Sequence, residues 1–177
     1  NAQLLKSIAD LQIVDFLCGN VDRHGGNLTY IVDSSDPEHP KVTGVQGIDN
    51  DMSFGVRHLD GDATVFGGTT PFNDILVISR SMAEKVLGMN VEKYINALRG
   101  QGLERDACQA AANRLRTLQA KIRQGEEYFE GTEPKNLERG KLRVVNDDEW
   151  EKIGLETLAS TAQHGNVFSR TDIFRRQ

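Results

Sequence analysis

The sequence predicts an α+β fold that is mostly α and contains one β-hairpin. Apolar residues recur at helical spacing in several long segments, which is typical of amphipathic helices. Two short segments rich in β-branched residues flank a turn made of Ser, Asp and Pro, which is typical of a hairpin. Residues 56–78 are interrupted by Gly and Pro and indicate a long irregular segment.

The composition indicates a globular domain of ordinary size. The chain has 177 residues, of which 38% are hydrophobic and 27% charged, and no apolar run approaches the roughly 18 residues that span a bilayer. The net charge of −5 argues against a protein that wraps nucleic acid, because that function needs surplus Lys and Arg. Cys18 and Cys108 lie in apolar contexts and are predicted to be buried free thiols.

The first helix is predicted over residues 2–18. Leu4, Leu11 and Val14 belong to its apolar face, and Gly19 ends it. We expect this helix to begin without a cap. The hairpin is predicted to pair Leu28–Val32 with Lys41–Ile48, because both segments suit a pleated sheet.

The second half of the chain is predicted to be helical. One helix is expected to begin at a capping box formed by Ser81 and Glu84. The charged residues 126–140 are expected to form a mobile surface stretch. The predicted helices are Ser81–Leu87, Val91–Arg99, about Leu103–Gln124, and a last one from the Asn146–Glu149 cap to about Ala159.

The polar residues with the most chemistry lie in two loops, which we call loop A (residues 19–27) and loop B (residues 47–55). Asn27 stands just before the first predicted strand, and Asp49 stands just after the second. Antiparallel strands bring these two ends together, so loops A and B should meet at one end of the hairpin.

Phosphoryl transfer from a nucleotide needs such a set of groups. A carboxylate orients or deprotonates the attacking hydroxyl, and an Asn with an Asp holds Mg²⁺ against the phosphates. Asp22 and Asn27 are separated by the same five-residue step as the Asp and Asn of a kinase catalytic loop. The loops hold no cluster of Cys or His that would suit zinc.

The motif D-R-H-x-x-N, followed by a hairpin and I-D-N, resembles the atypical branch of the kinase fold. That branch includes the phosphatidylinositol 3- and 4-kinases, secretory-pathway kinases and HipA-like bacterial kinases. The resemblance implies that Asp22 is the catalytic aspartate, that Asn27 and Asp49 bind Mg²⁺ and ATP, and that His24 helps to neutralise phosphate charge. It covers residues 2–55 and implies a kinase-like C-terminal lobe over 1–160 with a polar tail over 161–177.

The sequence departs from the kinase pattern in two respects. Asp49 is followed by Asn50 and Asp51 instead of Phe-Gly, so that Asp51 is either a second acidic ligand or a loop residue. The sequence also lacks a Gly-rich loop and a strand Lys that would grip the nucleotide phosphates. We therefore expect the N-terminal lobe to lie upstream and to be a partner of this chain.

The acceptor is expected to be a protein Ser or Thr in preference to a phosphoinositide. A phosphoinositide head group needs basic residues after the metal-binding Asp. Residues 56–78 offer only two residues of that kind against three acidic ones: Arg57 and His58 against Asp60, Asp62 and Asp74.

Other interpretations remain open at this point. A kinase-like fold also hosts AMPylation and glutamylation. The domain is alternatively a pseudokinase or an interaction domain of a bacterial effector, or a hydrolase that uses a metal at Asp22, His24 and Asp49. The site residues are alternatively ordinary loop formers, and Arg23 is expected to pair with a structural carboxylate or an activation-loop group and to take no part in the chemistry.

Overall fold

Helix α1 (Ala2–Cys18) is the element around which the other elements pack. It contacts the hairpin, a buried strand pair and two later helices in a computed structural model that describes residues 1–23, 25–55, 63–64, 69–70 and 75–161. The observed architecture is α+β, with small two-stranded sheets among the helices. None of the described helices is both long and apolar enough to cross a membrane.

Helix α1 has the predicted bounds, but its first turn and one of its faces differ from expectation. Asn1 caps the helix, because its side chain accepts a hydrogen bond from the Leu4 backbone N–H at 3.2 Å. Gly19 ends it in the left-handed conformation, with φ of 61°. Val14, which was expected in the buried face, is 41% exposed. The buried face instead includes Gln12 and Asp15, two polar residues.

The predicted hairpin is confirmed. Strand β1 (Leu28–Asp33) pairs antiparallel with β2 (Lys41–Gly47), in a register that places Leu28 opposite Gly47. Strand β2 packs on α1, where the Ser7 hydroxyl accepts a hydrogen bond from the Val45 N–H at 2.9 Å. Strand β1 is on the solvent-exposed side of the hairpin, since every residue after Leu28 in it is exposed.

Two further strand pairs were not predicted. Strand β3 (Ala63–Thr64) pairs antiparallel with β4 (Thr69–Thr70), inside the segment that was expected to be irregular. Strand β5 (Val77–Ser79) pairs parallel with β6 (Arg143–Val145), and all six residues are buried. Three-residue strands are too short to show a period, and their partner lies more than 60 residues away, so local patterns do not reveal them.

The later helices are confirmed with shifted ends. They are α2 (Arg80–Gly88), α3 (Val91–Gly100), α4 (Arg105–Tyr128) and α5 (Trp150–Thr161), the last of which is broken at Gly154, where φ is 69° and ψ is 163°. The cap of α2 is Ser79, whose hydroxyl accepts from the Met82 N–H at 3.1 Å, and the predicted capping residue Ser81 lies inside the helix. The Glu149 carboxylate accepts from the Asn146 N–H at 2.8 Å, as expected for the last cap.

The charged stretch 126–140 is more ordered than expected. Its first three residues belong to α4, and Phe129 is buried. Arg143, which is 4% exposed, donates hydrogen bonds to the Thr132 hydroxyl at 2.9 Å and to the Asn136 carbonyl at 3.1 Å. These contacts fasten the stretch to β6.

The core consists of two main apolar clusters joined by α1. The N-terminal half of α1 packs with the hairpin and α5, including Trp150. Its C-terminal half packs with α2, α4 and β6, including Leu115 from the predicted stripe of α4. Cys108 is a buried free thiol, and Cys18 is free and half-buried. The predicted tail lies outside the described residues, except for Thr161 at the end of α5.

Candidate functional site

Loops A and B meet at one end of the hairpin, as the strand pairing predicted. The Ile48 N–H donates to the Asn27 carbonyl at 3.0 Å, which extends the pairing of β1 and β2 by one step. Asp49 is the next residue and therefore lies at the same end as Asn27. At the far side of loop B, the Phe54 N–H donates to the Cys18 carbonyl at 2.7 Å, so loop B also closes over the end of α1.

Arg23 joins the two loops from inside. Arg23 is 1% exposed, and all five of its N–H groups donate hydrogen bonds. Two reach the Asp15 carboxylate, from Nε to Oδ2 at 3.0 Å and from Nη2 to Oδ1 at 2.9 Å. Nη1 donates to the backbone carbonyls of Asn27 at 2.6 Å and Ile48 at 2.7 Å, and Nη2 also donates to the Asn50 side chain. The pairing of Arg23 with a structural carboxylate is therefore confirmed.

Asp15 connects this arginine to helix α1. Burial raises the pKa of the Asp15 carboxyl, and hydrogen bonds from Arg23 and Asn20 oppose that rise. Asn20, which is 1% exposed, donates from Nδ2 to Asp15 Oδ1 at 3.3 Å. Asn20 Oδ1 in turn accepts from the Asp22 backbone N–H at 2.9 Å. A buried polar network thus leads from α1 to the backbone of Asp22.

The side chains of Asp22 and Asn27 contact each other directly. Asn27, 6% exposed, donates from Nδ2 to the Asp22 carbonyl at 2.9 Å and to Asp22 Oδ2 at 3.3 Å. Because its nitrogen is committed to Asp22, the Asn27 amide has its oxygen to offer to a cation. Asn27 is the last residue of a 3₁₀ turn, Gly25–Asn27, that leads directly into β1.

Asp49 and Asp51 both project from loop B into solvent. Both are exposed, and neither carboxylate has a hydrogen bond or ion pair with any other residue that the structure describes. Asp49 differs in its backbone, which has a φ of 53° in the left-handed region. A non-glycine residue with this conformation is uncommon and occurs at functional turns, although Asp tolerates it better than most residues.

Three side chains of the candidate site are therefore placed at one end of the hairpin: Asp22, Asn27 and Asp49. His24, the fourth predicted site residue, lies outside the described residues. Sequence reasoning missed the roles of Asp15 and Asn20, which belong to no recognisable motif, and of Asn50, which ends the I-D-N motif but was given no role. The one available signal was a polar pair, Gln12 and Asp15, within an apolar helix.

The donor set of the site fits Mg²⁺ better than a softer metal. Magnesium prefers oxygen ligands and takes only one or two carboxylates from the protein, with waters and substrate phosphates completing its shell. Asp49, Asp22 and the Asn27 amide supply oxygen atoms of this kind. The described ranges contain no group of three or more His, Cys, Asp or Glu that would form a complete cage for a metal.

A cavity of about 240 Å³ lies behind the Arg23 network, between α1 and loop B. Its apolar lining includes Leu11, Val14 and Phe54. Cys18 also lines it, but burial, reinforced by the charge of Asp15, raises the pKa of the thiol to about 11. The thiolate is therefore scarce at neutral pH, and Cys18 is not poised as a nucleophile.

Arg114 of α4 supports the beginning of loop A. It is 1% exposed and donates from Nε to the Leu17 carbonyl at 3.1 Å, near the end of α1. Burial lowers the pKa of Arg114. A Cβ atom at Gly19 would lie 2.8 Å from Arg114 Cζ, so only glycine fits between α1 and this guanidinium.

The two loops thus form one unit, in which buried polar groups hold a more exposed set of oxygen ligands. Asp22 and Asn27 lie within hydrogen-bond distance, and Asp49 follows the residue that pairs with Asn27. No protein-family model, curated protein or solved structure matches the chain.

Proposed function

We propose that this chain is the C-terminal lobe of a kinase-type phosphotransferase that uses ATP and Mg²⁺. The observation that supports the proposal most is the convergence of Asp22, Asn27 and Asp49 at one end of the hairpin. The Asn27 side chain contacts Asp22 directly. The Asn27 carbonyl accepts a hydrogen bond from the Ile48 N–H, and this pairing brings Asp49 to the same end of the hairpin. A carboxylate beside an Asn and a second Asp is the set that phosphoryl transfer requires.

In this proposal each residue has a separate role. Asp22 orients the acceptor hydroxyl and takes its proton, and the Asn27 amide holds the Asp22 carboxylate in place. Asn27 and Asp49 are the ligands that hold Mg²⁺, which when bound neutralises charge on the phosphates. His24 helps to neutralise the charge that develops during transfer. Asp51 is a loop residue and not a ligand.

The nucleotide needs further binding groups in addition to those of this site. In a kinase fold, a strand Lys paired with a helix Glu grips the phosphates. No ion pair between the described residues joins a strand Lys to a helix Glu. In this proposal an N-terminal lobe, acting as a partner of this chain, supplies the Lys and Glu that bind the phosphates.

A protein Ser or Thr is the acceptor that we favour over a phosphoinositide. The segment after loop B has more acidic than basic residues, which suits a peptide better than an anionic head group. AMPylation or glutamylation would use the same ligands and is distinguished by which part of the nucleotide reaches the acceptor.

An interaction domain without catalysis, of the pseudokinase or effector type, is the second candidate function. One observation favours it: Ile48 and Met52 of loop B are large apolar side chains that are 40% and 50% exposed, as is typical of a surface that contacts another protein. This candidate is separated from the first by nucleotide turnover.

The test is Mg²⁺-dependent transfer of the γ-phosphate of ATP to a Ser/Thr peptide library, measured on the chain joined to its N-terminal lobe. Asp49→Asn should reduce the transfer rate at least 100-fold, since it removes the negative charge of a metal ligand without changing the size of the side chain. The matched control is Asp51→Asn, which changes another exposed carboxylate in the same loop. Equal rates in both variants would contradict the proposal, and no transfer by the unchanged protein would favour the interaction domain.

A further inference from the structure

We infer that the cluster of Asp15, Arg23 and Asn50 is a positioning device that sets the distance between the two metal-binding residues Asn27 and Asp49. This inference rests on the proposed function, because it concerns the same metal site. It adds a role for three residues that do not themselves bind the metal.

The hydrogen bonds of Arg23 exclude a direct role in phosphate binding. A guanidinium has five N–H donors, and here two go to Asp15, two to backbone carbonyls and one to Asn50. No donor is left for a phosphate oxygen. The side chain is also only 2% exposed, so that a bound nucleotide could reach it only if these bonds broke.

The two hydrogen bonds from the Arg23 side chain to backbone carbonyls indicate a positioning role for this residue. Nη1 donates both to the carbonyl of Asn27, itself a proposed ligand, and to the carbonyl of Ile48, which precedes the other ligand. One nitrogen atom thus fixes the separation of the two loops at the residues that carry the ligands. Because a guanidinium is planar and rigid, it transmits this geometry better than a flexible ammonium group would.

Asp15 and Asn50 hold the guanidinium from two different elements, and both accept hydrogen bonds from Nη2. Asp15 comes from helix α1 and makes a two-point contact with it, while Asn50 comes from loop B and follows Asp49 directly. Any displacement of Arg23 is therefore passed on to the backbone beside Asp49.

Gly47 is the point at which this arrangement can be perturbed without removing any polar group. The Arg23 guanidinium lies directly on Gly47, where an added Cβ atom would be 2.5 Å from Nη2 and 2.7 Å from Cζ. The backbone of Gly47 does not have a positive φ, so that alanine is not strained there by its own conformation. Gly47→Ala would act chiefly by pushing Arg23 aside, because the three atoms nearest to the added Cβ all belong to the Arg23 guanidinium.

The experiment measures binding of Mn²⁺, as a probe for Mg²⁺, by electron paramagnetic resonance of the free ion in titrations of the chain. We expect Gly47→Ala to raise the Mn²⁺ dissociation constant at least tenfold while the circular dichroism spectrum stays native. Asn50→Ala, which removes one exposed partner of Arg23, should raise it at least threefold. Gly88→Ala is the control, since a Cβ atom there meets nothing within 4 Å.

The outcomes separate this inference from the proposed function. If the unchanged chain and the Asp49→Asn variant bind Mn²⁺ equally, the proposed metal site is wrong, and the inference falls with it. If Asp49→Asn weakens binding but folded Gly47→Ala and Asn50→Ala bind Mn²⁺ as the unchanged chain does, the metal site stands and the positioning role is overturned. A purely structural role for Arg23 would lower the thermal midpoint of the variants without changing this dissociation constant.

Discussion

At the scale of single residues, the site depends on Arg23, whose guanidinium is buried and fully hydrogen-bonded. Its charge is compensated by Asp15, with which it forms an ion pair whose side chains are each 2% exposed. Such a pair contributes little net stability compared with apolar residues, but removing one partner leaves the other buried and unpaired. The two backbone carbonyls that Arg23 serves would also lose their partner.

Arg23→Met should therefore lower the free energy of unfolding by about 3–5 kcal/mol, as expected for breaking a buried ion pair. Equilibrium unfolding in urea measures this change. Arg116→Met, at an exposed position of α4, should change it by less than about 0.5 kcal/mol. An effect of Arg23→Met as small as that of the control would show that the network is not as buried as the structure indicates.

A second prediction at this scale concerns Asp10 in α1. Burial raises the pKa of its carboxyl, whereas hydrogen bonds from Ser79 and the charges of Lys6 and Lys85 oppose the rise. Because the folded-state pKa exceeds the unfolded one, the native state binds the extra proton. The stability contribution of Asp10 is thus fully present below the ordinary pKa of 3.8 and is lost as the pH rises through the raised value.

Asp10→Asn should remove this part of the pH dependence. The amide oxygen keeps an acceptor for the Ser79 N–H, which lies 3.4 Å from Asp10 Oδ1, but carries no charge. Urea midpoints measured from about pH 4 to pH 7 should fall less steeply in the variant than in the unchanged chain. Asp51→Asn serves as the control at an exposed position. Parallel curves for all three proteins would show that the burial of Asp10 has no energetic effect.

At the scale of secondary-structure elements, α4 and β6 approach each other so closely that a side chain does not fit between them. A Cβ atom at Gly125 would lie 1.7 Å from the Leu142 carbonyl oxygen. Glycine normally weakens a helix by up to about 1 kcal/mol relative to alanine. Here the close contact reverses that preference.

Gly125→Ala is accordingly expected to destabilise the chain by about 1–3 kcal/mol, since the backbone at Leu142 must shift to accommodate the methyl group. Gly100→Ala, in α3, adds a methyl group that meets nothing within 4 Å and should be neutral or slightly stabilising. Thermal unfolding of both variants measures the difference. Stabilisation by both substitutions would contradict the close packing of α4 on β6.

Helices and strands with a local apolar or β-branched pattern over several residues were predictable from the sequence. Short strands that pair with a distant segment of the chain were not. The apolar stripe of α4 and the β-branched strands of the hairpin have local patterns that survive in the fold. Strands β5 and β6 have three residues each and owe their existence to a partner far along the chain. The cap of α2 was misplaced by two residues because Ser79 and Ser81 are equally good capping residues in isolation.

The residues of the candidate site likewise include some that local patterns predict and some that they do not. Asp22, Asn27 and Asp49 were predictable because a motif spacing and a hairpin place them together. Asp15 and Asn50 were not, because their roles arise from contacts with Arg23 that no local pattern encodes. Val14 was predicted to be buried, but it faces the cavity beside loop B and remains 41% exposed.

At the scale of the whole molecule, the exposed large apolar side chains are concentrated around the hairpin and loop B. Those with more than a third of their surface exposed are Val14, Tyr30, Ile31, Val32, Ile48, Met52 and, at a distance, Tyr128. Large exposed apolar patches mark surfaces that contact another protein or domain. Ile48 and Met52 of loop B, and Val14 of the adjacent cavity, lie beside the site, and the proposed N-terminal lobe would cover them.

The chain by itself should turn over ATP at less than about one hundredth of the rate of the chain joined to that lobe, because positioning of the phosphates supplies much of catalysis in a kinase fold. Release of labelled phosphate from ATP and its transfer to peptide, measured with and without the lobe, give the ratio. Equal activity in both forms would mean that the site is complete without a second lobe.

The central claim is that loops A and B hold one cation between Asn27 and Asp49. Paramagnetic broadening of backbone amide NMR signals by Mn²⁺ tests it most directly, since the broadening falls off steeply with distance from the ion. The account predicts that broadening is centred on residues 22, 27 and 49, disappears in Asp49→Asn and persists in Asp51→Asn. Broadening that is spread over other acidic surfaces, or that is unchanged in Asp49→Asn, would contradict it.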